Sequence, residues 1–148
     1  MVQKRNLQKS EHGQSLVEFS LSMVLVLVLL TGLVDLGRTA FTYMSLREAA
    51  QEGATYASIN PSMTDSVQDR VFGSSNMLQT LKDEYGESAP IDVEVNIDED
   101  ACMGNSIEVV VTYNDYPMTM PFVGTMLGKQ AVDISASAMD SILSPACD

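Results

Sequence analysis

From Phe19 to Val34 the chain carries no charged side chain, and Leu21, Val24, Leu25, Val26, Leu27, Val28, Leu29 and Leu30 follow one another without polar alternation. A helix apolar on every face needs an apolar medium around it. Counting Leu16 and Val17 before the run and Leu36 after it gives about twenty residues, enough to cross a hydrocarbon core of roughly 30 Å. The pattern predicts a membrane span at about 16–36. No proline follows before Pro61, so the helix is expected to continue over 14–60. In its outer half Tyr43, Leu46, Ala50, Gly53 and Ala57 recur at steps of three and four, while Arg47, Glu48, Gln51, Glu52 and Thr55 occupy another face. Such a narrow stripe of mostly small residues lets another backbone approach closely. Its partner is either a neighbouring subunit's helix or this chain's own domain. Asp35 and Arg38, three apart, are expected either to pair at the outer membrane boundary or to serve as solvated anchors.

Asn60-Pro61-Ser62 breaks the helix, and residues 61–148 read as one small α+β domain. Asp65 followed by Gln68 has capping-box spacing, and Val67, Val71, Leu78 and Leu81 fit an amphipathic helix interrupted near Gly73-Ser74-Ser75. Ile91, Val93, Val95 and Ile97 alternate with Asp92, Glu94, Asn96 and Asp98, the period of a strand with one buried and one wet face. Ile107 to Tyr113 forms a second run in which Val110 shares the polar face; Val132, Ile134, Ala136 and Ala138 mark a third. Three successive strands predict an antiparallel meander. The link from Asn114 to Ala131 is too long for a hairpin turn and holds Met118, Met120, Phe122, Val123, Met126 and Leu127. It is expected either to fold over the sheet edge or to form a contact surface.

Charge orients the span. Lys4, Arg5 and Lys9 against Glu11 make the first thirteen residues basic, whereas the whole 148-residue chain carries a net charge of −12. By the positive-inside rule the N-terminus stays cytoplasmic and the acidic domain lies outside, with the protein in the cytoplasmic (inner) membrane. A cleavable secretory signal fits less well, because the apolar run is long and no small-x-small site follows it. On the outer side Cys102 and Cys147 can form one intrachain disulfide, worth about 4 kcal/mol in the chain-entropy model; free or intermolecular thiols are the rival.

Catalytic patterns are sparse. The single histidine, His12, lies in the basic leader, so neither a Ser-His pair nor a histidine-ligated metal site can be assembled beyond it. Gly124 to Gln130 has phosphate-loop-like glycines at the wrong spacing, with Gln130 where Ser or Thr would bind magnesium. Asp98-Glu99-Asp100 fails as an EF-hand start, since Met103 and Val109 fall on the glycine and terminal-acid positions, and reads as a solvated acidic turn. The expectation is a non-enzyme without cofactor, metal or small-molecule substrate. An acidic exterior disfavours nucleic acid.

One acid stands out. Glu18 follows Gly13-Gln14-Ser15-Leu16-Val17 and sits inside the apolar helix, where a charge costs of the order of 2.5–3.5 kcal/mol at mid-membrane and less near the interface. The leader, Gly13 and Glu18 resemble the processing site of type IV prepilins. That resemblance implies cutting after Gly13 by a prepilin peptidase, release of Gln14 as the new N-terminus (leader 1–13), and pairing of Glu18 with a neighbouring subunit's terminal amine. Gly13 through Phe19, the apolar run, Val34-Asp35-Leu36-Gly37-Arg38, Leu46 through Ala54 and Tyr56-Ala57 together resemble the TadE-like family, pseudopilins or minor subunits of tight-adherence (Flp) pilus machines. The likeness covers about a third of the chain. Pilin-like folds commonly pack the outer half of the long helix on their own sheet. Major Flp pilins are very short and usually carry Glu-Tyr where this chain has Glu18-Phe19, which favours an accessory subunit. The implied partners are the membrane, the peptidase, pilin or pseudopilin subunits and the pilus assembly platform. Two alternatives remain: an unprocessed membrane anchor presenting a binding or scaffold domain, and an extracytoplasmic hydrolase built on carboxylates.

Overall fold

The computed structural model describes residues 12–98, 100–120 and 123–144. A single helix, α1 (His12–Ile59), runs 48 residues, about 72 Å at the α-helical rise, and ends one residue before Asn60-Pro61. Its first part stands alone, with an 18-residue window of mean hydropathy 2.3 of which nothing is buried within the chain. Along its second part Leu46, Ala49, Ala50, Ala54 and Ala57 are buried, and Thr42, Ser45 and Ser58 lie on the same covered face.

Two short helices follow, α2 (Thr64–Gly73) and α3 (Asn76–Tyr85), broken at Ser74-Ser75 where the sequence places its interruption. The expected capping box does not form. Met63 is the residue before α2 and makes no side-chain cap bond, while Asp65 lies within the first turn, where it complements the helix dipole. The reason is the preceding turn: Met63 N–H donates to Asn60 O at 3.2 Å and Met63 O accepts the first helical bond from Val67, at 3.0 Å. By contrast Ser75 caps α3, accepting from Leu78 N–H at 3.3 Å. Arg70 pairs with Glu52 on α1 at 3.4 Å, and Lys82 with Asp69 at 2.7 Å, tying α2 to both neighbours.

A three-stranded antiparallel sheet of order β1-β2-β3 completes the α+β fold, from β1 (Ile91–Ile97), β2 (Ser106–Pro117) and β3 (Ala131–Ser141). Register places Val93 opposite Val111 and Val111 opposite Ala136, so the alternating apolar residues of all three strands share the face turned to α1. β2 is longer than its alternation suggests. A bulge between Tyr113 and Tyr116, with Asp115 at φ 53°, restores inward pointing at Tyr116 and carries the strand to Pro117. The β2–β3 link therefore begins at Met118, contains the short helix α4 (Val123–Leu127), and reaches α1 through Met120.

The domain is fastened to α1 near both of its ends. Met120 N–H donates to the Asp35 carboxylate at 2.6 Å, and beyond β3 Leu143 N–H donates to Ser58 O at 2.8 Å.

Candidate functional site

The first candidate region is the beginning of α1. Gly13, Gln14 and Glu18 are exposed on the helix, as are Leu16, Val17, Phe19 and Leu21 around them. Nearby hydroxyls are satisfied within the helix: Ser20 donates to Val17 O at 2.8 Å and Thr31 to Val28 O at 2.9 Å. Glu18 has no hydrogen-bond or ion-pair partner among the described residues. Whatever compensates its charge in an apolar medium must come from outside them.

The small-residue stripe separates into two fates. Leu46, Ala50, Gly53 and Ala57 are buried against the chain's own α2 and sheet; a Cβ on Gly53 would lie 2.7 Å from Val71 Cγ2 and 3.2 Å from Val109 Cγ1. Of the two partners considered for the stripe, the chain's own domain occupies it. Tyr43 departs from this face and is 45% exposed, because the covered row runs through Thr42, Ser45 and Leu46. Arg47, Glu48, Gln51, Glu52 and Thr55 are all exposed.

Between these regions lies a collar that the sequence did not announce. Asp35 is only 6% exposed, and the Thr119 backbone N–H and hydroxyl face its carboxylate beside Met120 N–H. Of the two expectations neither holds for it: Asp35 makes no direct ion pair with Arg38 and, being buried, is not a solvated anchor. Arg38 instead donates from Nη1 to Thr119 Oγ1 at 3.1 Å and lies 5.7 Å from the centre of the Tyr116 ring, which meets Tyr113 edge to face. Gln130 organises the loop behind it, donating from Nε2 to Met118 O at 3.0 Å and Met120 O at 2.7 Å and accepting from Gly124 N–H at 2.8 Å. The glutamine that spoils a phosphate loop is thus the clasp of this one. Lys129 bridges Asp115 and Asp133, and Asp133 also accepts from Asp115 N–H at 2.9 Å across the bulge. That backbone hydrogen bond, with the Lys129 side-chain bond and charge, holds the Asp133 carboxyl below its ordinary value of 3.8.

Cys147 and Glu99 lie outside the described residues, so the Cys102–Cys147 bridge and the acidic turn at 98–100 stay expectations. Among the described residues no group of three or more His, Cys, Asp or Glu could hold a metal ion.

An exposed apolar half-helix whose other half carries a small α+β domain is the architecture of a membrane-anchored protein. Residues 13–55, the exposed run together with most of the buried stripe, match the family model described as TadE-like protein. The match covers less than a third of the chain. No curated protein and no solved structure matches the chain.

Proposed function

We propose that this chain is a pseudopilin or minor pilin-like subunit in the assembly of a tight-adherence pilus or a related secretion filament. The observation that carries the reading is Glu18: a carboxylate with no partner among the described residues, on an exposed apolar helix, inside the segment with TadE-like similarity. In this reading a prepilin peptidase cuts after Gly13, α1 holds the subunit in the inner membrane at about 16–36, and the domain from residue 61 stands outside. The Gln14 amine of a neighbouring subunit, or a group of the assembly platform, then neutralises Glu18 and fixes its register in a helical bundle. On the outer side Cys102 and Cys147 close the domain. In this reading the role is mechanical, the storage of a subunit in the membrane and its packing into a helical bundle.

Intact-mass measurement on protein extracted from membranes tests the processing step. A chain beginning at Gln14 is expected, and Gly13→Phe should retain the leader. A chain beginning at Met1 would leave an unprocessed anchor that presents its domain. Glu18→Ala should still be cleaved yet be depleted from purified filaments or assembly complexes; incorporation equal to the parent's would refute the amine pairing.

A further inference from the structure

From Pro117 to Gly128 there is no acidic or basic side chain, in a chain whose net charge is −12. The structure brings Met120 of this neutral segment beside the apolar half of α1. Met120 Sδ lies 3.6 Å from where a Cβ would stand on Gly32, and Gly32 is four residues inside Leu36, about 6 Å along the helix axis. Met126 is 85% exposed and lies two residues beyond Gly124, which the Gln130 side chain joins to Met120, and Leu33, Val34 and Leu36 are exposed on α1. The charges flanking this segment, Arg38 beside Asp35 and Lys129 bridging Asp115 and Asp133, are already matched within the chain, while the C-terminal end of β3 leads toward Ser58. A loop with Met126 exposed and Met118 and Met120 half-buried, at the level of a membrane span, is unfavourable in water and favourable at the acyl boundary, where buried apolar area stabilises by roughly 25 cal/mol per Å².

We infer that the β2–β3 loop, through Met118, Met120 and Met126, is seated in the interfacial layer of the outer leaflet of the bilayer that α1 crosses. The inference rests on the proposed span at about 16–36. Asp35 is the positioning residue: its carboxylate gathers the backbone of Thr119 and Met120 and so sets the depth of the loop, while lipid closes over the side that the protein leaves open. A domain held this way meets the membrane at two places, the span and the loop, and its tilt is fixed.

The chain has no tryptophan, so a single introduced indole reports its own surroundings. Full-length protein would be placed in phosphatidylcholine vesicles with brominated acyl chains, as three separate variants: Met126→Trp, Leu25→Trp within the span, and Met139→Trp on the exposed face of β3. Met126→Trp should show blue-shifted, bromine-quenched fluorescence, weaker in quenching than Leu25→Trp, and Met139→Trp should show none. Adding Asp35→Ala to Met126→Trp should remove most of that quenching while far-UV dichroism stays unchanged. If Met126→Trp is as unquenched as Met139→Trp while Leu25→Trp is quenched, the loop does not touch lipid and the inference is wrong although the span stands. Absence of quenching at Leu25→Trp overturns the span and the inference with it. A Met126→Trp blue shift that disappears as protein is diluted into excess lipid would assign the loop to a second copy of this chain, and also overturns it.

Discussion

Gly53 shows how much one missing methyl group decides. Val71 from α2 and Val109 from β2 both reach the space its side chain would fill, so three elements meet over a single backbone position. Gly53→Ala gains about 1 kcal/mol of helix propensity but forces overpacking that costs about 1–3 kcal/mol. Thermal unfolding of the detergent-solubilised protein should therefore show a lower midpoint for Gly53→Ala. Gly37→Ala, where nothing lies within 4 Å, should raise it slightly by propensity alone. Asp133 makes a prediction of a different kind. Its folded pKa lies below the unfolded value, so its hold on the bulge is present above about pH 4 and is lost as pH falls through the depressed value. The Asp115 amide proton resonance should titrate with a midpoint below 3.8, and Asp133→Asn should abolish that titration. At this scale the sequence was only partly legible. Leu46, Ala50, Gly53 and Ala57 were visible through their spacing. Thr42, Ser45 and Ser58 were not, because small hydroxyl residues on a covered face look polar in any pattern. Asp35 was harder still, for its partners lie more than eighty residues downstream and an acid is the last residue a hydrophobic pattern assigns to the interior.

Elements announce themselves when their period is clean. β1 alternates without exception and pairs as its alternation predicts, whereas the end of β2 is hidden by the bulge: one shifted register at Asn114-Asp115 makes Tyr116 and Pro117 look like loop. The helix break at Ser74-Ser75 could be read, and so could its consequence, since Ser75 supplies the cap of α3. Ser75→Ala should cost about 1 kcal/mol and fray the first turn of α3, measurable as faster hydrogen exchange at Leu78 N–H. The β2–β3 loop had no period to read, and its order comes instead from one side chain making three bonds. Gln130→Ala should accelerate exchange at Gly124 N–H while the amides of β1, which are bonded to β2, keep their protection. Equal acceleration throughout the sheet would mean that Gln130 supports the whole domain instead of the loop alone.

For the molecule as a whole, division of labour along α1 is the organising fact. One half is almost bare of protein neighbours, Met120 at Gly32 being its contact with the domain, and the other is covered along one face, with the change completed at Asp35. Composition revealed this division, because only the first half is apolar all round; it could not reveal that the domain returns to grip the helix at the boundary. The two grips, Met120 on Asp35 and Leu143 on Ser58, are 23 residues apart on the helix, about 35 Å. Long helices bend when nothing braces them. Splinted at both ends of that stretch, α1 is expected to act as the shaft of a lever: a push or torque on its exposed apolar length would reach the far tip of the domain as rotation of a rigid body, with little lost to flexing in between.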